Sequence, residues 1–331
     1  MHLREAATLA VWSPSSPAPS LFPKRFRRGL DALRAAGFTL HVLPSCERVA
    51  GSSTRRPAEL ASELHGALVD PAIDGIIAAV GGWTLISVLP HLDIDLIERS
   101  YKPLIGYSDV TALLNYVSTR AGVVTFHGPM VMSEFGEAGG PWSYTWDHFR
   151  QVTGVADWRE LDLGPAPAWS DEVLWWDAQD DHPRRPRAGG ECARVVRPGT
   201  AEGPLLGGSL ISLGLLAGTP FWPTRSGSIV FLEAEAIAPD EMYARLLQLS
   251  GAGLFDDAVA VVFGKVGSPR ATASGYDDFD SIYRSAVPPH LPIAAGFDVG
   301  HTEPMVTLPI GGAARLTCRT GVRPEWSLLR P

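Results

Sequence analysis

Two periods of apolar spacing alternate along the first half of the chain. Leu9 to Trp12 is a short apolar run that breaks off in the turn-forming segment SPSSPAPS, as a strand does. Lys24 to Ala36 then carries Phe26, Leu30 and Leu33 on one helical face and stops at Gly37. Phe38, Leu40 and Val42 alternate with polar residues, which is strand periodicity. The spacing predicts a helix over Pro57 to Leu68, with Leu60, Leu64 and Leu68 stacked, and a buried strand over Gly75 to Val80 that ends at Gly81-Gly82. Pro103 to Ile105 is another short strand. Beyond Gly106-Tyr107-Ser108-Asp109, the residues Val110, Leu113, Leu114 and Val117 fall on one face of an amphipathic helix. Repeating βαβ units of this kind predict a parallel sheet with helices on both faces.

From about Trp142 to Pro198 the periodicity weakens, and Trp, Asp, Pro and Arg accumulate. This stretch is expected to be a connector with a long surface loop, carrying Trp169, Trp175, Trp176 and the run His182 to Arg187. Loops of that length are often functional. Strand patterns return at Ser228 to Leu232, Ala258 to Phe263, Pro292 to Phe297 and Ala314 to Cys318. A helix opens at Pro239-Asp240-Glu241 with Met242, Leu246 and Leu249 on one face. The expected fold class is α/β: an N-terminal doubly wound parallel-sheet domain over 1–150, a connector over 151–200, and a smaller, β-rich C-terminal α/β domain over 201–331.

A length of 331 residues agrees with two domains at about 150 residues each. With 45% apolar and only 19% charged residues the chain is not disordered and can bury a large core. The 34 Gly and 28 Pro imply many tight turns. A net charge of −8 without a strong basic block makes a nucleic-acid polymer an unsuitable partner. Cys46, Cys192 and Cys318 are far apart and form no CxxC, so neither a structural zinc nor a disulfide framework is expected, and a reducing compartment suits them. Gly203 to Thr224 is uncharged, but Gly, Pro, Ser and Thr interrupt it too often for a membrane-spanning helix. Ala6 to Trp12 follows Glu5 and runs into a turn cluster, which reads as a strand rather than a signal sequence. A soluble cytoplasmic protein is expected.

Candidate chemistry centres on Ser108. A strand that turns sharply at Gly106 and enters a helix lifts the serine out of the sheet edge. The Asp109 backbone N–H then points into the same space, where helix-start donors hold an oxyanion. The alternative is that Ser108 caps the helix and Asp109 complements its dipole. Val80-Gly81-Gly82-Trp83 also follows a buried strand, at the end of the sheet where such folds bind ligands. A nucleophilic serine needs a base and an orienting acid. His127 and His301, both in glycine-containing turns after apolar strands, remain equal candidates for the base. Glu233, at the end of Ile229 to Leu232, is favoured for the acid, with Glu235 competing.

The segment from Lys102 to Leu113, KPLIGYSDVTAL, closely resembles the nucleophile segment of the LD-carboxypeptidase family of serine peptidases, which includes the microcin C immunity peptidases. LAVWSPSSP, GGWTLISVLPHLD, FHGPM, GPLLGGSL, IVFLE, YARLLQLSGAGLF, FGKV and GHTEPMVTLPIGGAARL match other family segments in the same order, so the resemblance covers roughly residues 8 to 320. It implies a Ser–Glu–His triad of Ser108, Glu233 and His301 at the junction of the two domains, leaving His127 as a structural residue of its His-Gly-Pro turn. It further implies an oxyanion hole from the N–H groups of Asp109 and Gly82, a homodimer, and no cofactor or metal. Ser209 stands where the family usually has Asn, which puts substrate specificity in question; Glu233-Ala234 stands where Glu-Asp is common, with Glu235 beyond, and Glu233 is favoured because it directly follows the strand.

The Gly-Gly-Trp form, the Phe135-Gly136-Glu137 segment and the tryptophan-bearing loop are similar to the microcin-immunity branch, in which a loop aromatic stacks on the adenine of a peptidyl-nucleotide. Trp175 or Trp176 is the candidate for that contact, and Gly81, Trp83 and Ser209 complete the expected substrate-binding set. The murein branch instead releases a terminal D-alanine and needs a cation for its carboxylate; Arg184, Arg185 and Arg187 are the candidates, although a solvated loop explains them better. A non-catalytic ligand-binding homologue is the third reading. Retention of all three triad residue types favours an enzyme.

Overall fold

The short apolar runs become strands of one continuous sheet. The computed structural model describes residues 2–48, 56–154, 158–176, 178–188, 193–267 and 278–330; Cys192 lies outside them. In the first half, β1 (Thr8–Trp12), β2 (Thr39–Val42), β3 (Gly75–Ala78), β4 (Leu104–Gly106) and β5 (Thr125–His127) pair in parallel in the order 2-1-3-4-5. Helices Pro23–Ala35, Pro57–Val69, Ile94–Arg99 and Thr111–Arg120 lie between them in the chain. In sheets of this order the connection reverses between β1 and β3, which opens a crevice at the carboxyl ends of the strands.

The second half contributes β6 (Glu160–Asp162), β7 (Ala168–Trp169), β8 (Arg187–Ala188), β9 (Arg194–Arg197), β10 (Gly199–Ser209), β11 (Ser228–Glu233), β12 (Ala258–Gly264), β13 (Ile293–Phe297), β14 (Leu308–Ile310), β15 (Ala313–Cys318) and β16 (Glu325–Leu329). The main sheet continues from β5 as β14-β10-β11-β12-β13-β9, antiparallel at β5–β14 and at β13–β9 and parallel between. Fourteen strands thus pass through both domains, and β7 and β8 form a separate ribbon.

Alternation along the second-half strands divides the packing. Val230, Leu232, Val261, Phe263 and Ile293 face helices Leu210–Leu216, Pro239–Gly251 and Phe279–Ala286, meeting Leu213, Leu246, Leu249 and Ile282. Ile229, Phe231, Ala260, Val262 and Ala294 belong instead to the core that continues into the first half. Burial on both faces is why these strands read as unbroken apolar runs.

Two regions differ from the sequence reading. The stretch after Trp142 begins with a helix, Ser143–Thr153, and goes on to four short strands rather than a simple loop. Two of the helix's five buried residues are apolar, Phe149 and Val152, so its periodicity was faint. The uncharged stretch from Gly203 enters β10, whose Gly and Pro content hides it from propensity. Tertiary pairing holds it: residues 199–204 run antiparallel to β15, and 205–209 run parallel to β11.

Between the halves lies a buried polar seam. Asn115, fully buried on helix Thr111–Arg120, donates from Nδ2 to the Gly207 carbonyl at 2.8 Å, and its Oδ1 accepts from the Gly207 N–H at 3.0 Å. Nearby, the Ser209 N–H donates to Thr111 Oγ1 at 3.1 Å. Asn115→Ala strips Gly207 of both partners. Since each buried unsatisfied group costs about 1–3 kcal/mol, denaturant unfolding should show a loss of at least about 1 kcal/mol. An unchanged unfolding midpoint would mean that the amide does not hold this seam.

Candidate active site

β4 ends at Gly106, and Ser108 follows in a left-handed backbone conformation with φ of 59°. For a non-glycine residue this stores about 1–3 kcal/mol of strain and must be held by its surroundings. Asp109 provides the hold. Its buried carboxylate accepts from the Ser15 hydroxyl, in the turn after β1, and from the Leu85 N–H at 3.0 Å, in the loop after β3. Burial raises the pKa of Asp109, and these hydrogen bonds work against that. The carboxylate is therefore a staple joining three turns at the sheet edge.

Two carbonyl-end loops of the second half bring the partners of Ser108. His301 Nε2 is 3.2 Å from Ser108 Oγ, and His301 Nδ1 is 2.7 Å from Glu233 Oε2. Glu233 ends β11, where its carboxylate is fully buried. Gly300 makes room for it: at φ of 98°, a Cβ on this residue would lie 2.5 Å from Glu233 Cβ and 2.7 Å from its Cδ. Burial disfavours the His301 imidazolium, but the Glu233 carboxylate outweighs burial and lifts the imidazole pKa to about 9. In return, burial would raise Glu233, yet the His301 charge and hydrogen bond hold it below the usual carboxylate range. With neutral His301 protonated on Nδ1, Ser108 donates to Nε2, which is the arrangement that draws a proton from an attacking hydroxyl.

The two histidines left open by the sequence are now distinguished. His127 lies fully buried between Tyr107 and Phe231, with ring centroids at 5.8 and 5.2 Å, and burial pushes it down to about 4. It does not enter the hydrogen-bonded relay. Likewise Glu233, not Glu235, meets His301 Nδ1.

Sequence reasoning missed the support behind His301. Tyr107 places its ring edge-on to His301 at 5.0 Å, and its hydroxyl donates to Glu134 Oε1 at 2.7 Å. Glu134 also accepts from the Met130 N–H at 2.8 Å and the Ser133 hydroxyl at 2.5 Å. The signal was an acidic residue inside the apolar run from Met130 to Phe135, whose burial is costly without partners.

A cleft of two adjoining lobes opens over this group. The first, about 380 Å³, is lined by Ser108, Gly81, Gly82, Trp83, Ser209 and Ser212 among others. The second, about 510 Å³, is lined by Trp175, Val173, Leu174, Asp171 and Arg184 among others. Phe22, Tyr107, Ser133, Trp176, Glu235 and His301 line both. Of the two glycines, Gly81 faces the serine: a Cβ there would be 2.9 Å from Ser108 Oγ and 3.4 Å from the Asp109 nitrogen. Gly82 packs against Ser15, where a Cβ would come within 2.5 Å of Oγ. Ser209 sits at the lobe wall, and its hydroxyl accepts from the Ser212 N–H at 3.4 Å.

The tryptophans separate in the same way. Trp176 is an anchor: the Arg25 guanidinium lies 4.5 Å from its ring centroid, and Phe22 meets it edge-on at 5.7 Å. Trp175 is 68% exposed and Trp83 66%. Of the three arginines, Arg184 lines the cleft and bonds Glu137 at 3.2 Å, whereas Arg185 pairs with Glu172 and Arg187 with Asp171.

Residues 9–128 match the LD-carboxypeptidase N-terminal domain, and residues 202–316 match the LD-carboxypeptidase C-terminal domain. The microcin C7 self-immunity protein MccF of Escherichia coli is 30% identical over 315 residues, covering 92% of this chain and 88% of its own. The chain belongs to the LD-carboxypeptidase family. The structure of MccF in complex with aspartyl sulfamoyl adenosine is similar at a TM-score of 0.90 and 27% identity, over 100% of this chain and 98% of that one. A muramoyltetrapeptide carboxypeptidase from Oxalobacter formigenes is similar at a TM-score of 0.76 and 25% identity, over 98% and 99%. Membership makes this chain a serine-type hydrolase of the carboxypeptidase kind, with the two-domain α/β fold of that family. No helix among the described residues is long and apolar enough to cross a membrane.

Two outcomes are expected from this geometry. Gly81→Ala puts a methyl group against Ser108 Oγ and should abolish turnover with little change in unfolding midpoint; near-normal turnover would show that the space above Ser108 is not used. His301 should titrate near pH 9 by NMR and clearly lower in Glu233→Gln, where only the weaker pull of Glu235 and Glu134 opposes burial. Because its folded value is raised, the contribution of protonated His301 to stability is full below pH 6.5 and is lost as pH rises through about 9, whereas that of Glu233, whose value is lowered, is lost as pH falls through the acid range.

Proposed function

We propose that this chain hydrolyses the amide bond of an aminoacyl- or peptidyl-nucleotide, as a microcin-immunity-type serine peptidase, with Ser108, His301 and Glu233 as its triad. The observation that carries the reading is the Ser108–His301–Glu233 hydrogen-bonded line opening onto a cleft whose second lobe offers an exposed indole, Trp175. The relative solved with aspartyl sulfamoyl adenosine supports it, since the likeness extends over the whole chain.

Ser108 Oγ attacks the carbonyl carbon, and His301 Nε2 takes the hydroxyl proton. The backbone N–H groups of Asp109 and Gly82 receive the oxyanion. The C–N bond breaks as His301 returns the proton to the leaving nitrogen, and water then releases the acyl group from Ser108 by the same path. Trp175 stacks on the nucleobase, while Trp176 holds the loop; Gly81, Trp83 and Ser209 shape the acyl side. The proposal includes a division into 1–150, a connector over 151–200, and 201–331. It also includes a cytoplasmic homodimer that uses no cofactor and binds no nucleic-acid polymer. For these the family resemblance, the net charge of −8 and the sparse cysteines are the support.

Arg184 favours a second reading, release of terminal D-alanine from murein tetrapeptides, because it brings a guanidinium to the cleft wall where a carboxylate would need one. A substrate panel separates the readings. An aminoacyl-nucleotide amide should be cleaved by the wild type and not by Ser108→Ala. D-alanine release alone would overturn the nucleotide reading, and no cleavage by a folded wild type would make the chain a ligand-binding homologue. Trp175→Ala should raise KM about 5- to 100-fold with kcat nearly unchanged, as stacking contributes about 1–3 kcal/mol per base.

A further inference from the structure

Glu235 takes no part in the proton relay, yet its place in the cleft is central. It is exposed, follows β11 by two residues, and lines both lobes together with His301 and Tyr107. The other ions of the cleft wall are compensated. Arg184 bonds Glu137 Oε1 and the Glu172 carbonyl, and Asp171 is paired with Arg187 at 2.8 Å. Glu235 forms no hydrogen bond or ion pair with any described residue, and the one charge the structure shows acting with it is that of His301, so its carboxylate is open to a ligand seated between the lobes.

Distances along a substrate say which part of it reaches that carboxylate. A carbonyl carbon under attack by Ser108 lies about 3 Å from its Oγ, over the face of Gly81 that carries no side chain. In an aminoacyl group the α-nitrogen is only two bonds from that carbon, which keeps it within the lobe that Ser108, His301 and Glu235 line together. We propose that Glu235 is a specificity-determining residue that selects substrates with a free ammonium group next to the scissile amide. This deepens the amide-hydrolase reading and rests on it. An ammonium there forms a charge-assisted hydrogen bond to the carboxylate. An N-acylated amine in its place offers only an uncharged N–H and covers the carboxylate, which costs binding.

The test uses one aminoacyl-nucleotide amide with a free α-amine and its N-acetyl counterpart, assayed near pH 7, where an α-amine is mostly protonated. The wild type should favour the free amine by about 10- to 100-fold in kcat/KM, the range for a hydrogen bond to a charged group. Glu235→Gln should remove most of that ratio, chiefly through KM, and Glu235→Asp should keep part of it. An equal ratio in wild type and Glu235→Gln overturns the proposal. So does an equal loss on both substrates together with a shifted pH profile, which would mean that Glu235 acts only through the basicity of His301. Dissociation constants of the same pair on Ser108→Ala provide a readout independent of turnover. If the wild type cleaves neither compound, the hydrolase reading fails, and the ratio of dissociation constants still decides the role of Glu235.

Discussion

The site depends on a side-chain amide acting as a strand partner. Asn115 occupies both backbone groups of Gly207 in the middle of the sheet, on a helix that begins three residues after Ser108. Two residues further along β10, Ser209 is in register with Glu233 on β11, and its N–H is bound to Thr111. A short path of hydrogen bonds therefore runs from the helix behind the nucleophile to the strand that ends in the orienting acid. Displacements of about 1 Å between reacting groups can cost a hundredfold in rate. A seam of this kind is what keeps the 3.2 Å contact between Ser108 and His301 from drifting with the two domains.

Around that contact, strain and charge are confined rather than avoided. The left-handed turn at Ser108 is held by Asp109, which gathers the turns after β1 and β3 at one point. The loop bearing His301 is held from below by Asp298, which accepts from the Ala166 N–H at 3.0 Å and forms a buried ion pair with Lys265. Removing one member of such a pair leaves an uncompensated charge, so the pair fixes position more than it adds stability. Glu134 and Glu303 are also buried near the cleft. Burial raises both, and the neighbouring Glu134 charge raises Glu303 further.

The loop over the second lobe is built on cations from the first half. Arg25, fully buried, bonds Asp180, Glu137 and the Ser133 carbonyl while lying over the Trp176 ring, and Arg28 bonds Asp180 at 2.7 Å. These ties let two adjacent tryptophans serve opposite ends: Trp176 is spent on anchoring, which leaves Trp175 presented to the cleft.

By itself the sequence determined the parallel βαβ order of the first half, the strand–turn–helix around Ser108, and the acidic end of β11. Local chemistry suffices for these, because periodicity, glycine turns and helix starts are encoded within a few residues. It left His127 against His301 unresolved, since both lie in glycine-containing turns after apolar strands, and it favoured Glu233 over Glu235 only by its place at the strand end. The family resemblance favoured His301 and Glu233 only through motif matches. Tertiary structure made the choice geometric by pairing β5 with β14 and β10 with β11, which buries His127 and turns His301 toward Ser108. It also decided that β10 is a strand at all, and that the two domains share one sheet. The physical reason is the same in each case: hydrogen bonds and burial between residues far apart in the chain have no periodic trace in either segment alone.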